Sequence, residues 1–121
     1  MPYEFYRALH FLGIFLVMTS LGGLLIHVAN GGDKDSHRAR KLTSIGHGVG
    51  MVLVLVAGFG MLARLGLPAS SPWVLGKVVV WVVFGALIAI PFRMPKLSQP
   101  LWILLPVLGF VAGYLALHKP G

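Results

Sequence analysis

The chain has no cysteine and only three acidic residues, Glu4, Asp33 and Asp35, against ten lysines and arginines in 121 residues. Without a thiol there is no disulfide, no thiolate metal site and no cysteine nucleophile. With so few carboxylates, paired-acid chemistry and an acid-assisted cation pathway through one copy are excluded too, because all three acids fall near or beyond the ends of the apolar runs described next. Serines 20, 44, 70, 71 and 98 have no matched acid and base, and no glycine-rich phosphate loop or nucleophile motif occurs, so hydrolytic catalysis finds no support.

Charge is missing in a second sense. Between Arg7 and Asp33 no residue carries a formal charge, and further apolar stretches follow at about residues 42–63, 73–92 and 97–118. A helix needs about 20 residues at about 1.5 Å rise to cross the hydrocarbon core of a bilayer, and each run has that length. Hydrophobic residues make up 57% of the chain, and the mean hydropathy is +0.87. The pattern predicts an all-α, integral membrane, up-down-up-down four-helix bundle in a single domain, residues 1–121, with spans at about 5–29, 42–63, 73–92 and 97–118. The first run exceeds a secretory h-region and only Arg7 precedes it, so it reads as a retained span and not as a leader.

Punctuation along the chain agrees. Asn30-Gly31-Gly32 stops the first helix, and a hydrophilic loop through Arg38 and Lys41 leads to the second. Ser71-Pro72 is a favourable start for the third helix, and Pro91 and Pro95 close it. Pro106 is expected to kink the fourth. Gly46 and Gly50, and Gly109 and Gly113, are spaced four apart, so each pair makes a flat stripe for a neighbouring helix or a planar ligand. Trp73, Trp102 and Tyr3 are placed near predicted helix ends, at headgroup level.

Six basic residues (Lys34, Arg38, Arg40, Lys41, Arg93, Lys96) fall on the side of the first and third loops and four (Arg7, Arg64, Lys77, Lys119) on the other. The positive-inside rule then points to a bacterial cytoplasmic (inner) membrane protein with periplasmic termini. The net charge of +7 is dispersed at helix ends without interleaved aromatics, which argues for anionic headgroups and against nucleic acid as counterion. The lipid bilayer is the expected partner.

Polar groups inside apolar spans carry the functional signal, because a histidine or lysine in lipid is costly and usually purposeful. His10 and Lys77 are expected at one level near the N-terminal face, with Tyr114 and His118 on that side. His27 and His47 are expected to share the opposite level, and His37 reads as a solvated loop residue. Neutral imidazole is a ligand for iron, copper or zinc, and two facing imidazoles form the axial pair of a b-type haem. His10 and His47 are the candidate haem-iron ligands, with His27 and Lys77 as partners or alternates. The bland readings stand beside these: His27 and His118 can be interfacial imidazoles, and the Lys77 amine can snorkel to the headgroups.

The runs Ala8-Leu9-His10, Gly46-His47, Pro72-Trp73 with Gly76-Lys77, and Gly109-Phe110 with Gly113-Tyr114 together resemble the SirB-like family of small four-span bacterial membrane proteins over nearly the whole chain. Where that family carries a proline and an aspartate around the second-helix histidine, this chain has Gly46 and Gly50. Ala8-Leu9-His10 and Gly76-Lys77 also look like the HemJ-type protoporphyrinogen oxidases and the CopD-like membrane domains. The HemJ resemblance implies haem b held with help from His10 and Lys77. The leading expectation is therefore a haem-binding, redox-active membrane protein. The alternatives are a non-enzymatic bundle that forms a homo-oligomer or docks on a membrane redox partner, and a small transporter component.

Overall fold

The computed structural model describes residues 2–33 and 35–118. Lys34 and Lys119, which enter the charge count above, lie outside the described residues. The described chain is all-helical: α1 (Tyr3–Ala29), α2 (Arg40–Leu65), α3 (Pro72–Ala86), the single turn α4 (Ile90–Arg93), a 3-10 turn (Pro95–Leu97) and α5 (Ser98–His118). Three segments are long and apolar enough to cross a membrane, namely Tyr3–Ala29, Arg40–Leu65 and Pro95–His118.

The third apolar run differs from expectation. A single helix was expected over 73–92, but α3 ends at Ala86 after 15 residues, and a turn separates it from α4. The cause is local. Pro91 has no N–H to give the Leu87 carbonyl and its ring crowds that turn, so the helix loosens one turn before the proline. Alanine 89 then bonds back only three residues, to the Ala86 carbonyl at 3.1 Å. Pro106, in contrast, is carried within α5.

Helix ends follow their sequence signals. Gly66 takes the left-handed conformation at φ 67°, and the amide of Leu67 reaches back to the Leu62 carbonyl to close α2. Pro72 opens α3 at its first position, while the Ser71 hydroxyl turns back to donate to the Pro68 carbonyl at 3.0 Å.

Packing is organised by α1, which lies along α2 and also meets α5; α5 in turn meets α3. The level of each contact gives the direction. Tyr6 faces Gly60, Gly13 faces Gly50 and Ser20 faces Gly46, so α1 and α2 are antiparallel. His47 meets Phe84 and Met51 meets Trp81, so α2 and α3 are antiparallel, while Met18 of α1 faces Gly109 of α5 and Gly76 near the start of α3 faces Leu115 near the end of α5. At Gly13 and Gly50 the backbones themselves touch: a Cβ on either would fall 2.7–2.8 Å from the other's carbonyl oxygen. Small residues are the means by which helices without a hydrophobic driving force between them approach closely enough for dispersion and weak C–H···O contacts to hold them.

A central cluster of Val17, Leu21, Leu25, Met51, Leu87 and Leu105 fills the interior, and Leu62, Trp73 and Val74 form a second cluster toward the other end. Trp73 is thus buried in packing, whereas Trp102 is 46% exposed. The apolar window of α1 is 39% buried but that of the α5 segment only 6%. An outward face of Ile103, Val107, Phe110 and Leu117 is far larger than water tolerates on a soluble monomer, and it matches acyl chains.

Candidate functional site

The histidines sort into two environments. His10 is buried at 8% exposure on α1 and its Nδ1 lies 2.9 Å from the Val54 carbonyl on α2. A carbonyl can only accept, so Nδ1 carries the proton and the neutral ring keeps its lone pair on Nε2. Glycine 58 faces the ring: a Cβ there would sit 3.4 Å from His10 Cε1. The Lys77 ammonium, half-buried on α3, is close enough to act electrostatically on this imidazole.

His47 is buried at 6% exposure, and its Nε2–H donates to the Phe84 carbonyl of α3 at 3.0 Å. The acceptor belongs to the last turn of α3, next to the helix end that Pro91 sets. His47 is in effect a cap supplied by a neighbouring helix. Trp81 does similar work in the other direction, its Nε1–H donating to the Met51 carbonyl at 3.0 Å. Val54 and His47 are seven residues apart on α2, about 10 Å along the axis, so His10 and His47 do not face one another.

His27 is likewise not paired with His47. Gly46 is level with Ser20, and His27 lies two turns further toward the loop. Its Nε2–H donates to the Asp33 carbonyl at 2.9 Å, and its ring stacks on His37 at 4.6 Å between centroids. His37 is consequently half-buried, its Nε2 3.0 Å from Thr43 Oγ1. Gly31, at φ 88°, makes the turn, and Gly32 is required because the His27 ring lies where a Cβ would project. Asp33 and Ser36 hold the loop reciprocally, each backbone N–H donating to the other's side chain at 2.9 and 2.8 Å. The Ser36 N–H and hydroxyl keep the Asp33 carboxyl below its usual range. Partial burial, and then the neighbouring His27 and Arg40, push the His37 imidazole down.

Sequence reasoning missed the His27–His37 stack, reading the second residue as solvated. The one available signal was the Gly31-Gly32 turn followed by Asp33 and Ser36 at the spacing of a side-chain-locked loop. At the other end, His118 stacks on Tyr114 at 3.9 Å and is exposed. No group of three or more histidine, aspartate or glutamate side chains that could hold a metal ion occurs among the described residues. A ligand set from protein alone is therefore not assembled there, whereas a haem, which brings four nitrogens of its own, needs only one or two axial donors.

Fold and site together define a helical protein with the dimensions and surface of a membrane-embedded chain. Comparison with protein families, with curated proteins and with solved structures returns no match.

Proposed function

We propose that the chain is a four-span protein of the bacterial cytoplasmic membrane, α3 with α4 supplying the third crossing and both termini periplasmic, that holds b-type haem at the His10–Lys77 layer for a redox or haem-related role. The observation that carries the reading is His10 itself. Its ring is oriented by donating one N–H to a backbone carbonyl while the other nitrogen keeps a lone pair, which is the arrangement by which proteins prepare an imidazole for iron. Gly58 packs against the ring, and Lys77 offers either a second donor or a cation for a propionate. His47 donates its Nε2–H to Phe84 and keeps the lone pair on Nδ1; it is assigned a structural role because that bond closes the end of α3. Bound haem would supply one-electron chemistry; the chain supplies an oriented ligand, a nearby cation and exclusion of water.

The test is the absorption spectrum of protein purified from haem-replete cells. A Soret band in the wild type and in His47→Leu, but not in His10→Leu, is the expected result. No Soret band in the wild type, even after hemin is added, would sink the proposal.

A second reading is favoured by the three interhelical bonds. His10 to Val54, His47 to Phe84 and Trp81 to Met51 give these three side chains a backbone partner without any ligand, as expected of a non-enzymatic scaffold that oligomerises or docks on a larger complex. Gly113, exposed on α5 with nothing within 4 Å of its Cβ position, offers a face for such docking. That reading predicts that His10→Leu loses stability but no activity.

A further inference from the structure

The loop end of the molecule holds a feature that the His10 layer leaves unused. A cavity of about 270 Å³ opens between the first turn of α2 and the α3–α4 turn, near the lower bound of small-molecule sites. Its polar wall is made by Arg40, Thr43 and Ser44 of α2, Arg93 of α4 and His37 of the loop, and its floor by apolar side chains such as Leu24 and Phe92.

Among the described residues neither Arg40 nor Arg93 forms an ion pair: Asp33 is engaged by Ser36, Glu4 is at the far end of α1, and Asp35, exposed in the loop, lines a neighbouring cavity with Phe92. Two arginines from separate elements, both solvent-exposed, thus line one cavity without an ion pair among the described residues. The first turn of α2 adds to the positive potential, because no side chain caps it. His37 Nε2 and Thr43 Oγ1 share a hydrogen bond at 3.0 Å, and the Thr43 and Ser44 residues stand on the same polar wall. Leu24 and Phe92 make the floor unsuited to a bare hydrated ion and suited to an amphiphile lying at the edge of the hydrocarbon.

We propose that this cavity binds a phosphate oxyanion through Arg40, Arg93 and the Thr43 and Ser44 hydroxyls, with the phosphate of an anionic phospholipid headgroup, or a soluble phosphate ester, as the ligand class. The inference rests on the membrane reading above and is independent of haem. The bidentate fork of arginine is the side chain best matched to such oxygens.

The test uses the full chain in detergent, offered equal amounts of phosphatidylglycerol and phosphatidylcholine, with bound lipid counted by native mass spectrometry. Phosphatidylglycerol should be retained roughly 10-fold over phosphatidylcholine, and Arg40→Gln with Arg93→Gln should abolish that preference. Arg7→Gln with Arg64→Gln, an equal charge change at the opposite end, should leave it intact. Should the glutamine pair not fold, Arg40→Lys with Arg93→Lys keeps the charge but loses the fork, and should lower the preference severalfold. Displacement of the lipid by millimolar glycerol 3-phosphate assigns the site to soluble phosphate esters; failure to displace assigns it to lipid. Equal retention of the two lipids by the wild type, or a preference unchanged by both Arg40/Arg93 pairs, overturns the proposal. A chain that remains in solution without detergent would instead overturn the membrane reading.

Discussion

At the end carrying His10, the buried imidazole is surrounded by helices and answers to a backbone carbonyl of α2; at the end carrying His27 and His37, two imidazoles lean on each other, on a loop carbonyl and on a hydroxyl. The first environment has no water to fall back on, so the donor must reach across to another helix, and the bond becomes part of how helices are held in register. The second borders the aqueous phase, where a half-buried ring can stack and share partners. One residue type thus reports two solvents, and the division coincides with the helix ends drawn from hydropathy.

Substitutions can break or sharpen that division. The largest effect is expected at the α1–α2 seam. Gly50→Leu or Gly13→Leu would drive a side chain into a backbone carbonyl that cannot move aside, and should cost about 3 kcal/mol or more, read as loss of the monodisperse species or of the unfolding transition in denaturing detergent. The same change at Gly113, where a Cβ meets nothing, should leave folding untouched; a loss of self-association or of function there would reveal a docked face.

Next come the interhelical donors. His47→Leu uncaps the Phe84 carbonyl and should destabilise by about 1 kcal/mol, in line with hydrogen bonds between membrane helices, whereas Trp81→Phe should cost a similar amount by releasing the Met51 carbonyl. Neither should alter a haem spectrum that His10→Leu abolishes.

A smaller effect is expected from pH, and only at the loop end. The folded His37 imidazole is held below its ordinary value of about 6.5, so the unfolded loop takes up a proton first as pH falls. Stability of the loop is therefore full above about pH 6.5 and declines as pH drops toward the depressed folded value. Asp33, also depressed, has the same sign at lower pH, being lost as the carboxylate range is crossed downward. Protection factors of residues 31–40, the exchange rates referred to the intrinsic rate at each pH, should fall on acidification while those of residues 47–58 do not; an equal fall in both would erase the distinction. The smallest change is Ser98→Ala. The Ser98 hydroxyl is fully buried without a hydrogen-bond partner, and removing it should stabilise the protein by up to about 1 kcal/mol in the same denaturing-detergent titration.

Most of the helical architecture was legible because apolar run length and the glycine and proline stops are strong, local signals: α1, α2 and α5 begin and end within about two residues of their expected bounds. The third run misled because Pro91 acts one turn upstream of itself, so its helix ends at Ala86 although the apolar composition continues to Phe92. Depth along a helix put Lys77 within electrostatic reach of His10. It failed for His27 and His47, since equal distance from a loop holds only when both helices enter that loop at one height, and the 30–39 connection folds back over His27 first. Which nitrogen of a histidine is spent on a carbonyl is not written in any spacing, and it differs between His10 and His47.

The number of crossings can be read directly, because a chain without cysteine accepts single cysteines as unambiguous reporters. With cysteine placed in turn at Ser36, Ser70 and Gln99, a membrane-impermeant thiol reagent added to intact cells and to inverted vesicles should label positions 36 and 99 from the cytoplasmic side and position 70 from the other. Labelling of position 99 from the same side as position 70 would mean that the interrupted third helix does not cross, and would contradict the four-span reading.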